Sequence, residues 1–347
     1  MKLMKTTEAV GQVLCHDITQ IIPGVKKDAV FRKGHIITKE DIPVLLSVGK
    51  DTIYIWENDE TMMHENEAAQ VLYSMCACGT ASKMHPSSVK EGKIEVIADC
   101  DGLLKVDSEK LKKVNSFGEM MIATRHGNTT VKKGDKLAGT RIIPLVIKKD
   151  KLDAASHICD DGPILDIKPF VIRNAAIITT GNEVYHGRIQ DAFTPVIEKK
   201  IAEFGAQMMF HEVFDDDDKK ITDGCLRAIE AGAEIVFCTG GMSVDPDDKT
   251  PLAIKNTGAR IVSYGSPVLP GAMFLLSYYD AGDRLVPICG LPGCAMYNKR
   301  TIFDIVLPRL MARDMIFADE LAGLGEGGLC LNCDVCTFPN CGFGKGF

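Results

Sequence analysis

The stretch AAIITTGNE at residues 175–183 decides the fold of the longest segment of this chain. It is an apolar run of strand length that ends at a glycine and is followed at once by polar residues. Two later stretches end in the same way, EIVFCTGGMS at 234–243 and LVPICGLPG at 285–293. Short apolar runs bounded by turn residues are typical of strands that are buried on both faces. The sequence therefore predicts three strands of one sheet, each with a glycine loop at its carboxyl end.

Segments with helical periodicity alternate with these strands. Thr194-Pro195 and Thr250-Pro251 each combine a capping residue with proline at the first helical position, which is typical of a helix start. The stretch 219–231 has an apolar stripe of helical period and closes at Gly232. Alternating strands and helices predict an α/β unit over residues 172–312, with a mostly parallel sheet and helices on both of its faces.

The chain before this unit predicts smaller β-rich domains. Residues 1–60 form the first, with a short helix at 40–48, and residues 90–150 form the second, which ends in a strand at 141–147. The polar stretch 57–88 has no clear strand period. The charge-rich stretch 149–165 is interpreted as a linker or hinge.

The composition narrows the class of protein. The 347 residues include 40 Lys and Arg against 47 Asp and Glu, and 46% of them are hydrophobic. This balance is that of a globular protein and excludes disorder of the whole chain. An acidic chain lacks the basic surface that nucleic-acid binding requires. No apolar run approaches the roughly 20 residues of a membrane span, and the N-terminus lacks a signal-peptide pattern. We therefore expect a cytoplasmic protein with no nucleic-acid and no membrane partner.

The loops at the predicted strand ends indicate a phosphorylated ligand and a hard cation. In open α/β sheets, ligands bind beyond the carboxyl ends of the strands. Glycines there let backbone amides approach a phosphate, and carboxylates on neighbouring loops can share Mg²⁺ with phosphates and water. An acidic run at residues 215–218 follows a fourth strand. For Asp215 and Asp218 the alternative interpretation is a solvated loop or a helix cap.

Four motifs in order make residues 172–312 resemble the MoaB/Mog-type molybdopterin-binding domain, which occurs in molybdenum-cofactor biosynthesis proteins and molybdopterin molybdotransferases. The motifs are Thr180-Gly181-Asn182-Glu183, Asp216-Asp217, Gly240-Gly241-Met242-Ser243 through Asp248, and Gly290-Leu291-Pro292-Gly293. The segment at 138–144 is similar to the interdomain strand of the molybdotransferase branch, and the β-rich regions are similar to its accessory domains.

This resemblance implies a reaction, a metal and a set of site residues. The family inserts molybdate into molybdopterin, with Mg²⁺ and an adenylylated pterin. Glu183, Asp216 and Asp248 would be the catalytic acidic residues, and Glu183 and Asp248 would also ligate Mg²⁺. Gly240, Gly241 and Ser243 would hold the pterin phosphate. The other ligand-binding residues that the resemblance implies are Thr180, Gly181, Asn182, Asp245, Pro292 and Gly293.

Three positions depart from the family pattern. The segment Leu269-Pro270-Gly271-Ala272-Met273 lacks the two lysines of the family's Lys-Pro-Gly-Lys-Pro, Cys294-Ala295 replaces its Asn-Pro, and Asp245 stands where glycine is usual. Loss of two cations weakens the stabilisation of an anionic group. The leading hypothesis is a molybdopterin molybdotransferase-like enzyme; the alternative is a non-catalytic molybdopterin carrier or sensor. A nucleotide-processing hydrolase on the same fold is a third interpretation.

The expected partners follow from these hypotheses. They are molybdopterin or adenylylated molybdopterin, and molybdate. A molybdoenzyme that receives the cofactor and a second copy of the chain, as a homo-oligomer, are left open by the sequence.

A cluster of four cysteines lies outside the family pattern, in the tail at residues 325–347. Of the 13 cysteines, Cys330, Cys333, Cys336 and Cys341 fall in the last 18 residues. This spacing suits the thiolate ligands of Zn or of a [4Fe–4S] cluster and does not distinguish them. We interpret the segment as a metal-binding tail whose order comes from the metal, because it has little apolar content to bury.

Overall fold

The computed structural model describes residues 2–22, 26–55, 59–79 and 83–346. The chain forms two compact units. The first consists of Met1–Asp99, Val106–Arg125 and Lys133–Asp166, and the second of Cys100–Lys105, His126–Lys132 and Ile167–Phe347. Within the described ranges, no helix combines the length and the apolarity that a membrane span requires.

Short strands dominate the chain up to residue 168. The strands are β1 (Lys2–Lys5), β2 (Ile18–Ile22), β3 (Lys26–Phe31), β4 (Thr52–Ile55), β5 (Met62–His64), β6 (Met84–Pro86), β7 (Lys93–Ala98), β8 (Gly102–Val106), β9 (Met120–Thr124), β10 (Thr129–Val131), β11 (Lys136–Ile142), β12 (Val146–Lys148) and β13 (Leu165–Lys168). The helices in this stretch are α1 (Asp41–Ser47), α2 (Glu65–Ala77), α3 (Ser108–Asn115) and α4 (Lys149–Ser156).

These strands form several small sheets. The largest is four-stranded, in the order β6-β7-β11-β9, and the others are β10-β8-β13 and the pairs β1-β4, β2-β3 and β5-β12. Strand β7 buries Ile94, Val96 and Ala98 and leaves the residues between them partly buried, as the alternating pattern predicts.

Two sequence interpretations in this part of the chain were wrong, and a stretch that had no assignment contains a helix. The stretch without a strand period contains α2, whose Ala68, Leu72 and Cys76 are buried at helical spacing among polar neighbours. The presumed linker begins with α4, which buries Leu152 and Ala155. The strand at 141–147 is interrupted, because β11 ends at Ile142 and β12 begins at Val146 on a different sheet. Residues 56–58 and 80–82 of the polar stretch lie outside the described ranges.

The second unit contains the longer strands and the remaining helices. The strands are β14 (Asn174–Thr180), β15 (Gln207–Phe214), β16 (Ile235–Thr239), β17 (Arg260–Tyr264), β18 (Leu275–Asp280) and β19 (Leu285–Leu291). The helices are α5 (Asn182–Tyr185), α6 (Phe193–Ala202), α7 (Asp218–Glu230), α8 (Thr250–Asn256), α9 (Ile302–Met311) and α10 (Ala318–Gly323).

One six-stranded sheet organises this unit, in the order β15-β14-β16-β19-β18-β17. The first four strands are parallel to one another. Strand β18 is antiparallel to β19, and β17 is antiparallel to β18. Helices α6 and α9 contribute to the core on one face of the sheet, and α7 and α8 to the core on the other face. The α/β fold class, with β-rich regions before it, is confirmed.

Two helices of this unit start differently from the predicted positions. In α6 the carboxylate of Asp191 accepts from the amides of Phe193 and Thr194, so Asp191 caps the helix and Thr194 lies inside it. Helix α9 begins at Ile302, where Thr301 and Asp304 form a capping box. The apolar pattern from 297 onward extended the prediction of α9 too far, because Tyr297 is exposed in the preceding loop.

Candidate functional site

The three glycine loops and the acidic run lie at the same edge of the six-stranded sheet. In the register of the parallel strands, Thr179 of β14 is opposite Thr239 of β16, and Thr239 is opposite Leu291 of β19. On the other side, Thr180 is opposite Phe214 of β15. The chain passes from β14 to β15 and then returns to β16 on the opposite side of β14. Such a change of direction opens a crevice at the carboxyl ends of the strands, where ligands bind in this class of fold.

The glycine pair of the second loop packs closely against threonines. Gly240 and Gly241 have φ of 85° and 54°. A Cβ on Gly240 would lie 2.1 Å from the carbonyl oxygen of Thr180, and one on Gly241 would lie 2.8 Å from Oγ1 of Thr250. Thr180 and Thr250 join the two loops through a hydroxyl contact of 3.0 Å. Both glycines are therefore required by the packing of the loops themselves.

The four aspartates of the acidic run have four different contacts. Asp215 pairs with Lys220 at 2.8 Å, and Asp217 caps α7 by accepting from the amides of Lys219 and Lys220. Asp218 accepts from the side-chain amide of Asn256 at 3.1 Å.

Asp216 connects the run to the first loop. Its Oδ2 accepts from the backbone amide of Asn182 at 3.1 Å. Burial raises the pKa of Asp216, the Asn182 amide opposes that effect, and the negative charges of Glu183, Asp248 and Asp247 raise the pKa further. The structure therefore brings the three carboxylates predicted from sequence into one electrostatic cluster, and adds Asp247 to it.

Tyr264, at the end of β17, was not predicted and borders the same cluster. Its hydroxyl donates to the carbonyl oxygen of Met242 at 3.1 Å, and burial together with the charge of Asp248 raises its pKa. The Met242 side chain in turn fills the space that a Cβ on Gly290 would occupy. Strand β17 pairs antiparallel with β18 but runs in the same direction as the four parallel strands, which brings its carboxyl end to the same edge. The sequence analysis used only the glycine loops after β14, β16 and β19 and therefore did not include Tyr264.

A second polar group that the sequence did not indicate lies behind the first loop. Oδ2 of Asp191 accepts from the hydroxyls of Thr179 at 2.9 Å and Thr194 at 2.6 Å. Nε2 of His211 is 3.1 Å from the Thr179 hydroxyl. Burial opposes ionisation of Asp191, but these hydroxyls and the amides of Thr194 and Phe193 outweigh it and lower the pKa of Asp191. The only signal in the sequence was an Asp just before a predicted helix.

The remaining predicted ligand residues are spread over the edge. Ser243 and Asp245 are exposed in the second loop, which is closed by a hydrogen bond from the Asp248 amide to the Asp245 carbonyl at 3.0 Å. Pro292 is buried at the end of β19, whereas Gly293 is exposed, with no atom within 4 Å of a Cβ built on it.

The tail cysteines line a cavity of about 250 Å³. Cys333 and Cys336 are exposed, and Cys330 and Cys341 are partly buried. Across the ranges that the structure describes, no three His, Cys, Asp or Glu side chains are grouped so as to hold a metal ion. A Mg²⁺ ion at the carboxylate cluster would therefore depend on ligand phosphate oxygens and water for its other contacts.

The expectation that the tail has no core to bury was wrong. Phe343 is buried in the same core as α9, and Phe338, Cys330 and Cys341 pack against that core. A single aromatic side chain placed between helices is enough to attach a glycine-rich segment, and composition alone does not reveal such an anchor. By contrast, Cys225 and Cys238, elsewhere in the unit, are buried among apolar residues.

Comparison with known families identifies two matching segments. Residues 176–312 match the family described as a probable molybdopterin binding domain. Residues 3–57 match a domain of unknown function, DUF8806.

Relatives with similar sequences share only part of their length with this chain. A protein of Geobacillus sp. (strain WCH70) named as competence-damage inducible is 34% identical over 89 residues, which are 26% of this chain and 20% of that protein. Its namesake in Bacillus cereus (strain B4264) is 32% identical over 130 residues, 38% of this chain and 31% of that protein. The aligned segment thus spans less than a third of these relatives.

Solved structures also align with part of the chain. The tungsten cofactor synthesizing protein MoaB of Pyrococcus furiosus is 17% identical, with a TM-score of 0.35, over 43% of this chain and 99% of that one. The protein CinA of Thermoplasma acidophilum is 20% identical, with a TM-score of 0.29, over 36% of this chain and 92% of that one.

Proposed function

We propose that this protein, whose residues 176–312 match the family described as a probable molybdopterin binding domain, binds a molybdopterin phosphate together with Mg²⁺ at the carboxyl edge of its sheet. We propose further that it promotes insertion of molybdate into the bound pterin. The observation that carries this proposal is the carboxylate cluster of Glu183, Asp216 and Asp248 beside the glycine loops.

The cluster supports cation binding because it is electrostatically unfavourable without a counter-charge. Burial and the neighbouring negative charges raise the pKa of Asp216, so its ionised form is less favoured here than in a free carboxyl group. A divalent cation removes that penalty, and carboxylates are its preferred ligands. Within this cluster, Glu183 and Asp248 would hold Mg²⁺, while Asp216, which accepts from the Asn182 amide, would fix the first loop.

The edge also offers what a phosphate requires. The first loop begins at the buried Gly181 and continues into α5. The Asn182 amide already donates to Asp216, so the Glu183 amide is the donor that the first turn of this helix would offer. Ser243 is exposed in the second loop and would donate its hydroxyl. Bound Mg²⁺ would neutralise phosphate charge and orient a nucleotide leaving group. The chain's own part is to position the pterin and to gather the negative charge that recruits the cation.

Analysis of the bound ligand tests this proposal. Small molecules released from the purified protein and examined by mass spectrometry should include a pterin. The amount should fall at least about tenfold in Asp248→Asn, because loss of one charge-assisted contact costs about 1.5–3 kcal/mol. Glu230→Gln, at the far end of α7, is the matched control and should retain the pterin. Release of a nucleotide alone would favour a nucleotide-processing hydrolase and overturn the proposal.

One observation favours the second candidate, a non-catalytic carrier. The segment at 269–273, where related molybdotransferases have two lysines, contains no cationic residue. Instead it pairs with the tail: the Leu269 amide donates to Gly328 at 2.8 Å and the Cys330 amide donates to Leu269 at 2.8 Å. The segment that carries catalytic lysines in related molybdotransferases would then have a structural role in this protein, because it binds the tail.

A turnover assay separates the enzyme from the carrier. Purified protein is mixed with adenylylated molybdopterin, molybdate and Mg²⁺, and nucleotide release and molybdenum incorporation are followed. The enzyme releases one nucleotide for each molybdenum incorporated, over repeated turnovers. Tight pterin binding without nucleotide release identifies the carrier.

A further inference from the structure

The four cysteines of the tail converge on one cavity that the proposed pterin chemistry does not use. Cys330, Cys333, Cys336 and Cys341 all line it, and its volume is about 250 Å³. The space that one water molecule occupies is about 30 Å³, so the cavity could contain several non-hydrogen atoms. All four thiols of the tail therefore border one shared cavity, which is partly open to solvent on the side of the exposed Cys333 and Cys336.

The size of the cavity favours the larger of the two metal centres that the spacing allows. Zn–S bonds of about 2.3 Å bring four thiolates close together around one ion, and no open volume is left between them. Here the volume is open, and no group of three ligating side chains in the described ranges could hold a single ion. A cubane of iron and sulfide places its four thiolates farther apart, around a core of eight atoms.

The surroundings of the cavity suit a negatively charged cluster. Lys299 and Arg300 line it together with Phe338 and Phe343. The Lys299 ammonium donates to the carbonyl oxygens of Cys333 at 3.3 Å and Asp334 at 3.1 Å, which ties the loop between the thiols to the loop before α9. Positive charge and hydrogen bonds beside the sulfurs, with apolar side chains that limit water, are the features that tune such clusters in proteins.

The cavity is held in place by contacts that do not depend on a metal. The Cys330 amide donates to the Leu269 carbonyl, Phe343 is buried in the core, and the guanidinium of Arg300 lies 5.1 Å from the ring centroid of Phe338. Two of the thiols, those of Cys330 and Cys341, are therefore attached to the α/β domain. Cys333 and Cys336 lie on the exposed loop between them, which would close over the cluster.

We propose that the tail binds a [4Fe–4S] cluster through the thiolates of Cys330, Cys333, Cys336 and Cys341. Four thiols are available for four irons, so every iron has one protein ligand. Binding releases the four thiol protons, and the order of the exposed loop between Cys333 and Cys336 then follows from the cluster.

Metal analysis of the full-length protein purified without oxygen tests the proposal directly. After reconstitution with ferric iron, sulfide and a thiol reductant, the protein should contain about four irons and about four sulfides per chain, with a broad visible absorption that dithionite bleaches. Cys333→Ser and Cys341→Ser should each reduce the iron to less than about a quarter of that content. Cys78→Ser, which removes an exposed thiol outside the tail, should leave the iron unchanged.

Three outcomes would overturn the proposal. One is a single Zn per chain that persists after reconstitution and is lost in Cys333→Ser. Another is iron that remains in both tail variants. The third is a protein that stays without iron and sulfide although its circular dichroism shows that it is folded.

Discussion

Gly240 and Gly241 of the second loop are glycines because the neighbouring threonines leave no room for a side chain. Gly240 and Gly241 are not simply open space for a phosphate, because the neighbouring Thr180 and Thr250 already occupy the positions of a Cβ. Gly293 in the third loop is different, since a Cβ there meets nothing within 4 Å. Substitutions at these two loops should therefore have different physical consequences.

Gly241→Ala should destabilise the protein by about 1–3 kcal/mol, because alanine is strained at φ of 54° and its Cβ would meet Oγ1 of Thr250. Gly293→Ala should change the free energy of unfolding by less than about 0.5 kcal/mol and weaken pterin binding if the third loop contacts the ligand. Urea denaturation measures both values. Equal free energies of unfolding for the two variants would show that Thr250 does not crowd a Cβ at position 241.

At the scale of single elements, the start of α7 separates structural from functional aspartates. Asp217 accepts from two amides of the first turn, whereas Asp216 points to the first loop and to the other carboxylates. The sequence predicted a helix cap or a metal site for this run. It could not show which aspartate caps the helix and which belongs to the carboxylate cluster, because the four side chains are identical and adjacent.

Asp217→Ala should lower the free energy of unfolding by about 1 kcal/mol through loss of the cap, with no change in the Mg²⁺ dependence of pterin binding. Asp216→Asn should behave in the opposite way: the unliganded protein keeps or gains stability because a repelled charge is removed, and the effect of Mg²⁺ decreases. Thermal unfolding with and without Mg²⁺ tests the pair. A stabilising effect of Mg²⁺ that is lost in Asp217→Ala and kept in Asp216→Asn would reverse the assignment.

Other elements show the limits of pattern analysis in the same way. Strands β14, β16 and β19 were predictable because each is largely buried and leads into a glycine loop. Helix α2 was not, because polar residues are interspersed with its apolar ones, and its buried face becomes evident only when β7 and β11 pack on it. Tyr264 was missed because its partner Met242 comes from another loop. Asp191 was missed because its position before a helix indicated no more than a cap, and its contact with Thr179 forms only in the fold.

At the scale of the whole molecule, Asp314 connects segments that are far apart in sequence. Its carboxylate pairs with Lys105 at 2.9 Å, Lys168 at 2.6 Å and Arg309 at 2.6 Å. Burial opposes ionisation, but the contacts with Lys168, Lys105 and Arg309 outweigh it and lower the pKa of Asp314 from 3.8 to about 2. A depressed carboxylate pKa stabilises the folded state above the unfolded-state value, and this contribution is lost as the pH falls through the folded value.

Asp314→Asn should therefore be less stable than the parent by about 2–3 kcal/mol at neutral pH. The difference should stay constant above pH 3.8 and narrow as the pH falls toward about 2, where the parent protein also loses the charge. Asp283→Asn, an exposed aspartate paired with Arg284, is the control and should change stability by less than about 0.5 kcal/mol. A difference between parent and Asp314→Asn that does not narrow on acidification would mean that the network is not electrostatic.

The central claim is that the carboxyl edge of the sheet binds molybdopterin through Mg²⁺ and the carboxylate cluster. Calorimetric titration of molybdopterin into the full-length protein, with Mg²⁺ and with a chelator, tests it most directly. We predict binding that weakens at least about tenfold when Mg²⁺ is removed, since a charge-assisted contact of about 1.5–3 kcal/mol is lost. The Mg²⁺ dependence should be absent in Asp248→Asn and present in Glu230→Gln. Equal affinity with and without Mg²⁺ in the parent protein, or a full Mg²⁺ dependence in Asp248→Asn, would contradict the claim.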